Sequence, residues 1–297
     1  MALTTVLSAE GQKENGPFDS RNRTVLVFSI GAGNESHGAA LASNIDDYAA
    51  LVTATTVSMR LGLTYVGHLP YSGDRAGELA RDWNPGCLAR DELVSRVVQE
   101  VRRAVDLQRE LGNAASLVVV VSGHGGNNLL EEEEAAISEA SGVPFHYVRP
   151  FPRGSSVRTK KHGRVEITHA DDGEHSVGLY LGLLDKKKLR KINDAARRDP
   201  EKALKQDPAL MGLGYYVLPE LSGDRYEDLR ARHGELVRTA RKFLKDRRVV
   251  ADHDVGKKLM DKNVMDTLSQ VNRIIHQLRD GRRRSRPEKK RRAIGET

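Results

Sequence analysis

The sequence predicts an α/β fold, a mainly parallel sheet with helices on both faces. Two β-rich apolar runs, Thr24 to Ile30 and Ser116 to Val121, each end in a glycine-containing loop, and a helical pattern follows each loop. Runs that are apolar at nearly every position mark strands covered on both faces, as parallel strands are. The hydrophobic content of 38%, with 27 glycines added, is that of an ordinary globular chain.

Residues 1–20 are polar and without periodicity, and read as a flexible arm. After the first strand, Ile45, Ala49, Val52, Thr56 and Met59 fall at helical spacing in a helix that starts near Ser43 and stops at Gly62. Thr64 to Leu69 is the second strand, and Pro70 to Gly86 reads as a long loop. Arg90 to Leu111 carries a stripe of Leu93, Val97, Val98, Val101 and Val105 closed by Gly112. Beyond the strand Ser116 to Val121, a helix is expected over Asn128 to Ala140, with the acids Glu131 to Glu134 solvated near its start, then a fourth strand over Pro144 to Arg149. A basic, polar stretch reaches Arg164, a short strand ends at Ile167, and a helix is expected from Gly173 to Leu184. Asp185 to Pro219 reads as mixed and irregular. Two helices close the chain, Tyr226 to Lys245 and Val255 to Leu278. The expected organisation is a main domain over 21–250, a helix over 251–280 packed on it or on an interface, and a basic tail over 281–297.

The formal net charge is +7, and the segment from Arg282 to Arg292 alone carries +7, with eight Lys or Arg against one Glu. A nucleic-acid-binding protein that uses this tail is a second alternative function, but the tail has no aromatic residue on which a base could stack, which argues against nucleic acid as the partner. No apolar run approaches the length of a membrane span, and the start of the chain lacks an apolar signal core, so a cytoplasmic protein without a membrane partner is expected. The single cysteine, Cys87, excludes an internal disulfide and a cysteine-based zinc cage.

Candidate chemistry collects at two strand ends, where parallel sheets bind their ligands. The first loop reads Gly31-Ala32-Gly33-Asn34-Glu35-Ser36-His37-Gly38, with Asp46 in the helix start beyond it. A dinucleotide reading fails, because Ser36 stands where the fingerprint needs Gly or Ala and no acid closes the next strand. A metal reading does better. Glu35 and His37, two apart in extended chain, point the same way, and Asp46 lies close enough to bridge. The second loop, Ser122-Gly123-His124-Gly125-Gly126-Asn127, adds an imidazole, and His169-Ala170-Asp171-Asp172-Gly173-Glu174-His175-Ser176 offers a further ligand. His68, His146, His162, His233, His253 and His276 read as structural.

Glu-x-His with Asp eleven positions after the Glu, a strand ending in Gly-His-Gly-Gly-Asn, and His-Ala followed by Glu and Ser together resemble the creatininase family of dinuclear metal amidohydrolases, over residues 24–185. The resemblance implies a creatininase-like fold, self-association, and two divalent cations per chain, ferrous iron and/or zinc first, with manganese also suited. It places Glu35 and His124 on one metal, His37 and Glu174 on the other, and Asp46 between them. His169, or Glu174 itself, would hand a proton to the leaving nitrogen. Within that family, Gly182 to Leu189 and Met211-Gly212-Leu213 resemble the archaeal deformylases that hydrolyse the formamide of a formamidopyrimidine ribonucleoside 5′-monophosphate in riboflavin and deazaflavin coenzyme biosynthesis. The expected partner is then a small nucleotide substrate, and hydrolysis of another small or cyclic amide is the alternative. Arg149, Arg153, Arg158 and Lys160 follow the fourth strand and are the expected anchors for a phosphate, or else part of a solvated loop.

Overall fold

The computed structural model describes residues 23–73, 77–151 and 156–284. Strands β1 (Arg23–Ile30), β2 (Thr64–Leu69), β3 (Ala114–Ser122) and β4 (Phe145–Val148) form an all-parallel sheet in the order β2-β1-β3-β4, and β5 (Ser156–Thr159) pairs antiparallel with β6 (Gly163–Glu166). The helices are α1 (Ile45–Leu61), α2 (Arg90–Glu110), α3 (Leu129–Glu132), α4 (Glu134–Ser141), α5 (Asp172–Leu181) and α6 (Lys186–Arg198). They continue with α7 (Pro200–Gln206), α8 (Leu210–Val217), α9 (Pro219–Ser222), α10 (Glu227–Arg232), α11 (Gly234–Asp246) and α12 (His253–Arg284).

The parallel sheet is covered on both faces, as its composition predicts. Alternate residues of each strand feed two separate cores. Val25 and Val27 of β1 join Leu117, Val119 and Val121 of β3 with Ala54 and Val57 of α1 and Val271 and Ile275 of α12. Leu26, Phe28 and Ile30 join Val118 and Val120 with Leu93, Val97 and Val101 of α2 and Ile137 of α4. The long α12 also packs Val255, Leu259 and Met260 against Val177 of α5 and Ile45 of α1. The expected arm and most of the basic tail lie outside the described residues, with residues 281–284 continuing α12.

Several expectations are corrected. Asp185 to Pro219 is not irregular but holds α6, α7 and α8. The side chain of Asp185 caps α6 by accepting from the N–H groups of Lys187 and Lys188, and Asp199, followed by Pro200, caps α7. Helix α6 buries only Leu189 and Ala196, so its apolar stripe is too thin to register among the charges. The helix expected over 128–140 breaks at Glu133 (φ −101°, ψ 3°), and the one over 226–245 breaks at His233 (φ −130°, ψ 56°). The expected loop after Pro150 includes the β5–β6 hairpin, whose Val157 and Val165 pack against the α5–α12 core. Glu131 and Glu132 are exposed, as expected, and the acids at 131–134 also make contacts the sequence did not show: Glu131 pairs with Arg149, Glu132 and Glu133 with Arg90, and Glu134 accepts from the N–H of Tyr147 at 2.7 Å.

Candidate metal centre

Sheet register brings the candidate loops together. Ile30 of β1 sits beside Ser122 of β3, and the N–H of Gly123 donates to the carbonyl of Ile30 at 2.9 Å, so the two loops leave the sheet side by side. The start of α1 presses against them. A β-carbon at Gly123 would stand 2.0 Å from the carbonyl oxygen of Asp46, and one at Gly126 would stand 2.3 Å from Nε2 of His124. The glycines around His124 therefore admit backbone and imidazole where no side chain fits. Asn127 ties the loops, its Oδ1 accepting from the N–H of Gly73 at 2.7 Å and its Nδ2 donating to the carbonyl of Gly31 at 2.8 Å.

The five predicted ligands, Glu35, His37, Asp46, His124 and Glu174, are all buried and meet in one cluster. His124 Nδ1 lies 2.9 Å from Glu35 Oε2 and 3.0 Å from Asp46 Oδ2, while its Nε2 faces the carbonyl oxygen of Gly73 at 3.2 Å. His37 Nδ1 faces the carbonyl oxygen of Glu35 at 3.1 Å, and its Nε2 lies 3.5 Å from Glu35 Oε2, 3.6 Å from Asp46 Oδ1 and 3.8 Å from Glu174 Oε1. A carbonyl only accepts, so in each neutral ring the hydrogen sits on the outer nitrogen and the inner nitrogen presents a lone pair. Asp46 offers one oxygen to each imidazole.

Glu174 is aimed by its helix start. Asp171 caps α5 by accepting from the N–H of Glu174 at 2.9 Å, and Thr168 donates to the other oxygen of Asp171 through both its N–H and its hydroxyl at 2.9 Å. Glu174 Oε2 takes the N–H of Ala170, which leaves Oε1 for His37. Ala170 has φ 47°, and the loop is held from outside by Met211 to Leu213, all at positive φ. There Met211 N–H donates to the carbonyl of Ala170 at 3.0 Å and Gly212 N–H to that of His169 at 2.6 Å. His169 stacks on His37 with ring centroids 4.6 Å apart, donates from Nε2 to the carbonyl of Ser36 at 2.9 Å, and turns Nδ1 toward Glu35 Oε1 at 3.7 Å. His175 is buried behind the cluster with Nδ1 on the carbonyl of Asp171 at 2.9 Å.

Charge follows this packing. Burial works against a charged His37, but Glu174, Asp46 and Glu35 outweigh it and push the ring up to about 10. His124 is likewise raised well above its ordinary range, burial being overcome by Glu35 and Asp46. Burial favours neutral carboxyls, yet the imidazoles hold those of Glu35 and Asp46 below their usual range. Glu174 goes the other way, pushed up to about 8 by burial with Asp46 adding to it. Burial lowers His169 to about 4 and His175 to about 4. Protons thus take the place that a cation would fill.

The donor set suits a divalent cation. Glu35, Asp46 and His124 form one group and His37, Asp46 and Glu174 another, the ligand atoms within each lying within 4.8 Å of one another; Glu35, His37 and His169 form a third such group. Glu35 Oε2 and His37 Nε2 are buried with no hydrogen-bond partner among the described residues, which costs free energy unless something else meets them. Hard carboxylates with imidazoles suit zinc, iron and manganese alike.

The cluster forms the floor of a cavity of about 870 Å³. Trp83, from the expected loop over 70–86, is on its wall and accepts from the N–H of Ser36; sequence reasoning missed it because nothing near it repeats. Of the expected phosphate anchors, Arg149 is paired with Glu131, Arg153 lies outside the described residues, and neither Arg158 nor Lys160 is on the cavity wall. A second histidine cluster adjoins the site: Ser29 Oγ lies 2.9 Å from Tyr65 Oη and 2.9 Å from His68 Nδ1, and His68 Nε2 lies 3.0 Å from Asp47 Oδ1. Ser29 is fully buried, so this is not a nucleophile poised for substrate.

No family model and no curated protein matches the chain. Among solved structures it is similar to a creatinine amidohydrolase (creatininase), at 20% identity over 56% of this chain and 68% of that one, with a TM-score of 0.44. It is also similar to a putative creatinine amidohydrolase from Bacteroides fragilis NCTC 9343, at 14% identity over 83% and 87% of the two chains, with a TM-score of 0.48. A third, creatininase Mn, is 22% identical over 55% of this chain and 67% of that one, with a TM-score of 0.40. Among the described residues no helix is long and apolar enough to cross a membrane.

Proposed function

We propose that this protein is a metal-dependent amidohydrolase in which Glu35, Asp46 and His124 hold one divalent cation and His37, Asp46 and Glu174 a second. The observation that carries this reading is the convergence of buried polar groups, with the inner nitrogens of two imidazoles and three carboxylates facing one another and Glu35 Oε2 and His37 Nε2 without a hydrogen-bond partner among the described residues. When bound, such cations supply Lewis acidity and bring the pKa of water down toward neutrality. His169 is neutral at pH 7, with its hydrogen on the nitrogen that faces Ser36, so Nδ1 accepts a proton and then returns it to the leaving nitrogen. Trp83 and Phe151 add aromatic surface to the wall of the same cavity.

The finer reading is hydrolysis of the formamide of a formamidopyrimidine ribonucleoside 5′-monophosphate, in which water adds to the formyl carbon, the C–N bond breaks, and formate and the free amine leave. It is supported by the motif resemblance at Gly182 to Leu189 and Met211 to Leu213, the latter being the turn that holds His169 and Ala170. A cavity of about 870 Å³ is also larger than a small cyclic amide needs. The test is metal analysis of anaerobically purified protein, expected to find two equivalents per chain, followed by formate release from that nucleotide beside creatinine ring opening. Ring opening without formate release overturns the finer reading alone; a chain that takes up no metal overturns both.

A further inference from the structure

Three imidazoles of the cluster are mounted alike. His37, His124 and His169 each turn one ring nitrogen to a backbone carbonyl, those of Glu35 at 3.1 Å, Gly73 at 3.2 Å and Ser36 at 2.9 Å, and the other nitrogen toward a carboxylate. The carbonyl fixes the hydrogen on the nitrogen that faces it, and an imidazole held in this way ligates a cation through its other nitrogen. His169 is therefore prepared as the two ligand histidines are, although amide hydrolysis asks it only to carry a proton. His175 also meets a carbonyl, that of Asp171, yet among the described residues it joins no donor group.

The ring of His169 is restrained on three sides. The N–H of Gly212 holds its backbone carbonyl at 2.6 Å, the carbonyl of Ser36 holds Nε2, and the ring of His37 lies against its face with centroids 4.6 Å apart and planes at 28°. Nδ1 is left facing Glu35 Oε1 at 3.7 Å. A carboxylate oxygen and a lone pair are both acceptors, so they make no hydrogen bond with each other, and a cation between them satisfies both. One ligand atom each of Glu35, His37 and His169 lies within 4.8 Å of the others, as in the two groups proposed to hold the cations. Glu35 belongs to one of those groups and His37 to the other, which sets His169 beside both.

We propose that His169 is a ligand of the metal centre when no substrate is present, binding through Nδ1 beside Glu35 and His37. The same lone pair accepts the proton during amide hydrolysis, so substrate must take the place of His169 on the cation before the proton moves. The proposal rests on the amidohydrolase reading and adds to it a resting state in which the protein closes its own open coordination position.

The test is proton NMR of the full chain loaded with cobalt(II), in which each ligating imidazole that keeps its N–H gives one exchangeable resonance shifted far downfield. Three such resonances are expected in the wild type and two in His169→Phe, which keeps a ring against His37. Saturating acetohydroxamate, which offers two oxygens to a cation, should remove the His169 resonance and spare the other two. Two resonances in the wild type overturn the proposal, because His37 and His124 account for both, and this count decides even where His169→Phe fails to fold. Three resonances that His169→Phe leaves unchanged overturn it as well, and so does retention of all three with acetohydroxamate bound. Failure of the amidohydrolase reading is separate: a chain that takes up no cobalt overturns both, whereas two equivalents of cobalt with two resonances overturn only the ligation by His169.

Discussion

Asp46 and Asp47 are neighbours in the first turn of α1, each faces a histidine, and they belong to opposite kinds of cluster. Asp47 ends a chain in which every hydrogen has an acceptor. Tyr65 donates to Ser29, Ser29 to His68 Nδ1, and His68 Nε2 to Asp47, which also accepts the N–H of Gly33 at 3.2 Å. Asp46 faces the inner nitrogens of two imidazoles and other carboxylates, and beside it Glu35 Oε2 and His37 Nε2 have no hydrogen-bond partner among the described residues. The two histidine clusters differ in how their polar atoms are met: the first is satisfied by itself, and the second leaves buried polar atoms for something added to meet.

The largest expected effect follows from the group both candidate sites share. Asp46→Ala should remove both cations and lower amide hydrolysis by more than about a hundredfold, the most that losing an outer partner of a metal ligand costs. His124→Ala should cost one equivalent of metal and leave the fold intact, since its ring lies beyond a strand end and not in any of the apolar cores. Metal content by inductively coupled plasma spectrometry, beside turnover, reads both; a variant with two tight metals and full rate removes its residue from the site.

Protonation supplies the next test. With His37 at about 10 and His124 raised, loading zinc into chelated protein at pH 7 should release protons, seen with an indicator dye in weak buffer. The sign for stability without metal follows from the raised value. The contribution of His37 is fully present below 6.5, its ordinary value, and is lost as pH climbs toward about 10. The melting temperature of the chelated protein should therefore fall over that window by more than that of the loaded protein. Equal profiles would mean that the imidazoles of the site do not carry the protons.

Much of the site was legible because a parallel sheet sends the ends of β1 and β3 to one side, so a Glu-x-His after one strand and a His after its neighbour must meet. Glu174 was legible only through its motif, because what aims it is the cap at Asp171 and the left-handed turn at Met211 to Leu213, and neither leaves a periodic trace. The wall of the cavity was less legible still. Arg149 looked available until Glu131, on a different element, was seen to hold it, while Arg238 sits in an ordinary amphipathic helix and yet lies on the wall. Helix placement and cross-element ion pairs are tertiary facts. The chain Ser29–His68–Asp47 escaped for the same reason, its members coming from β1, β2 and α1.

The satisfied cluster should respond in stability and not in metal. Asp47→Ala leaves the His68 ring and the N–H of Gly33 without their acceptor, which should cost about 1–3 kcal/mol in urea unfolding while two equivalents of metal are retained. The smallest effect belongs to Tyr65→Phe. It removes a donor whose acceptor, Ser29 Oγ, still has His68 as its own partner, so no buried hydrogen is stranded and the loss should stay near 0.5–1.5 kcal/mol. Since Tyr65 is only half-buried, water can take up the vacancy. Metal content and turnover should match the unaltered protein. A Tyr65→Phe protein that loses metal would show that the chain from Tyr65 to Gly33 sets the position of Glu35, and the division between the two clusters would then be one of distance from the ligands rather than of kind.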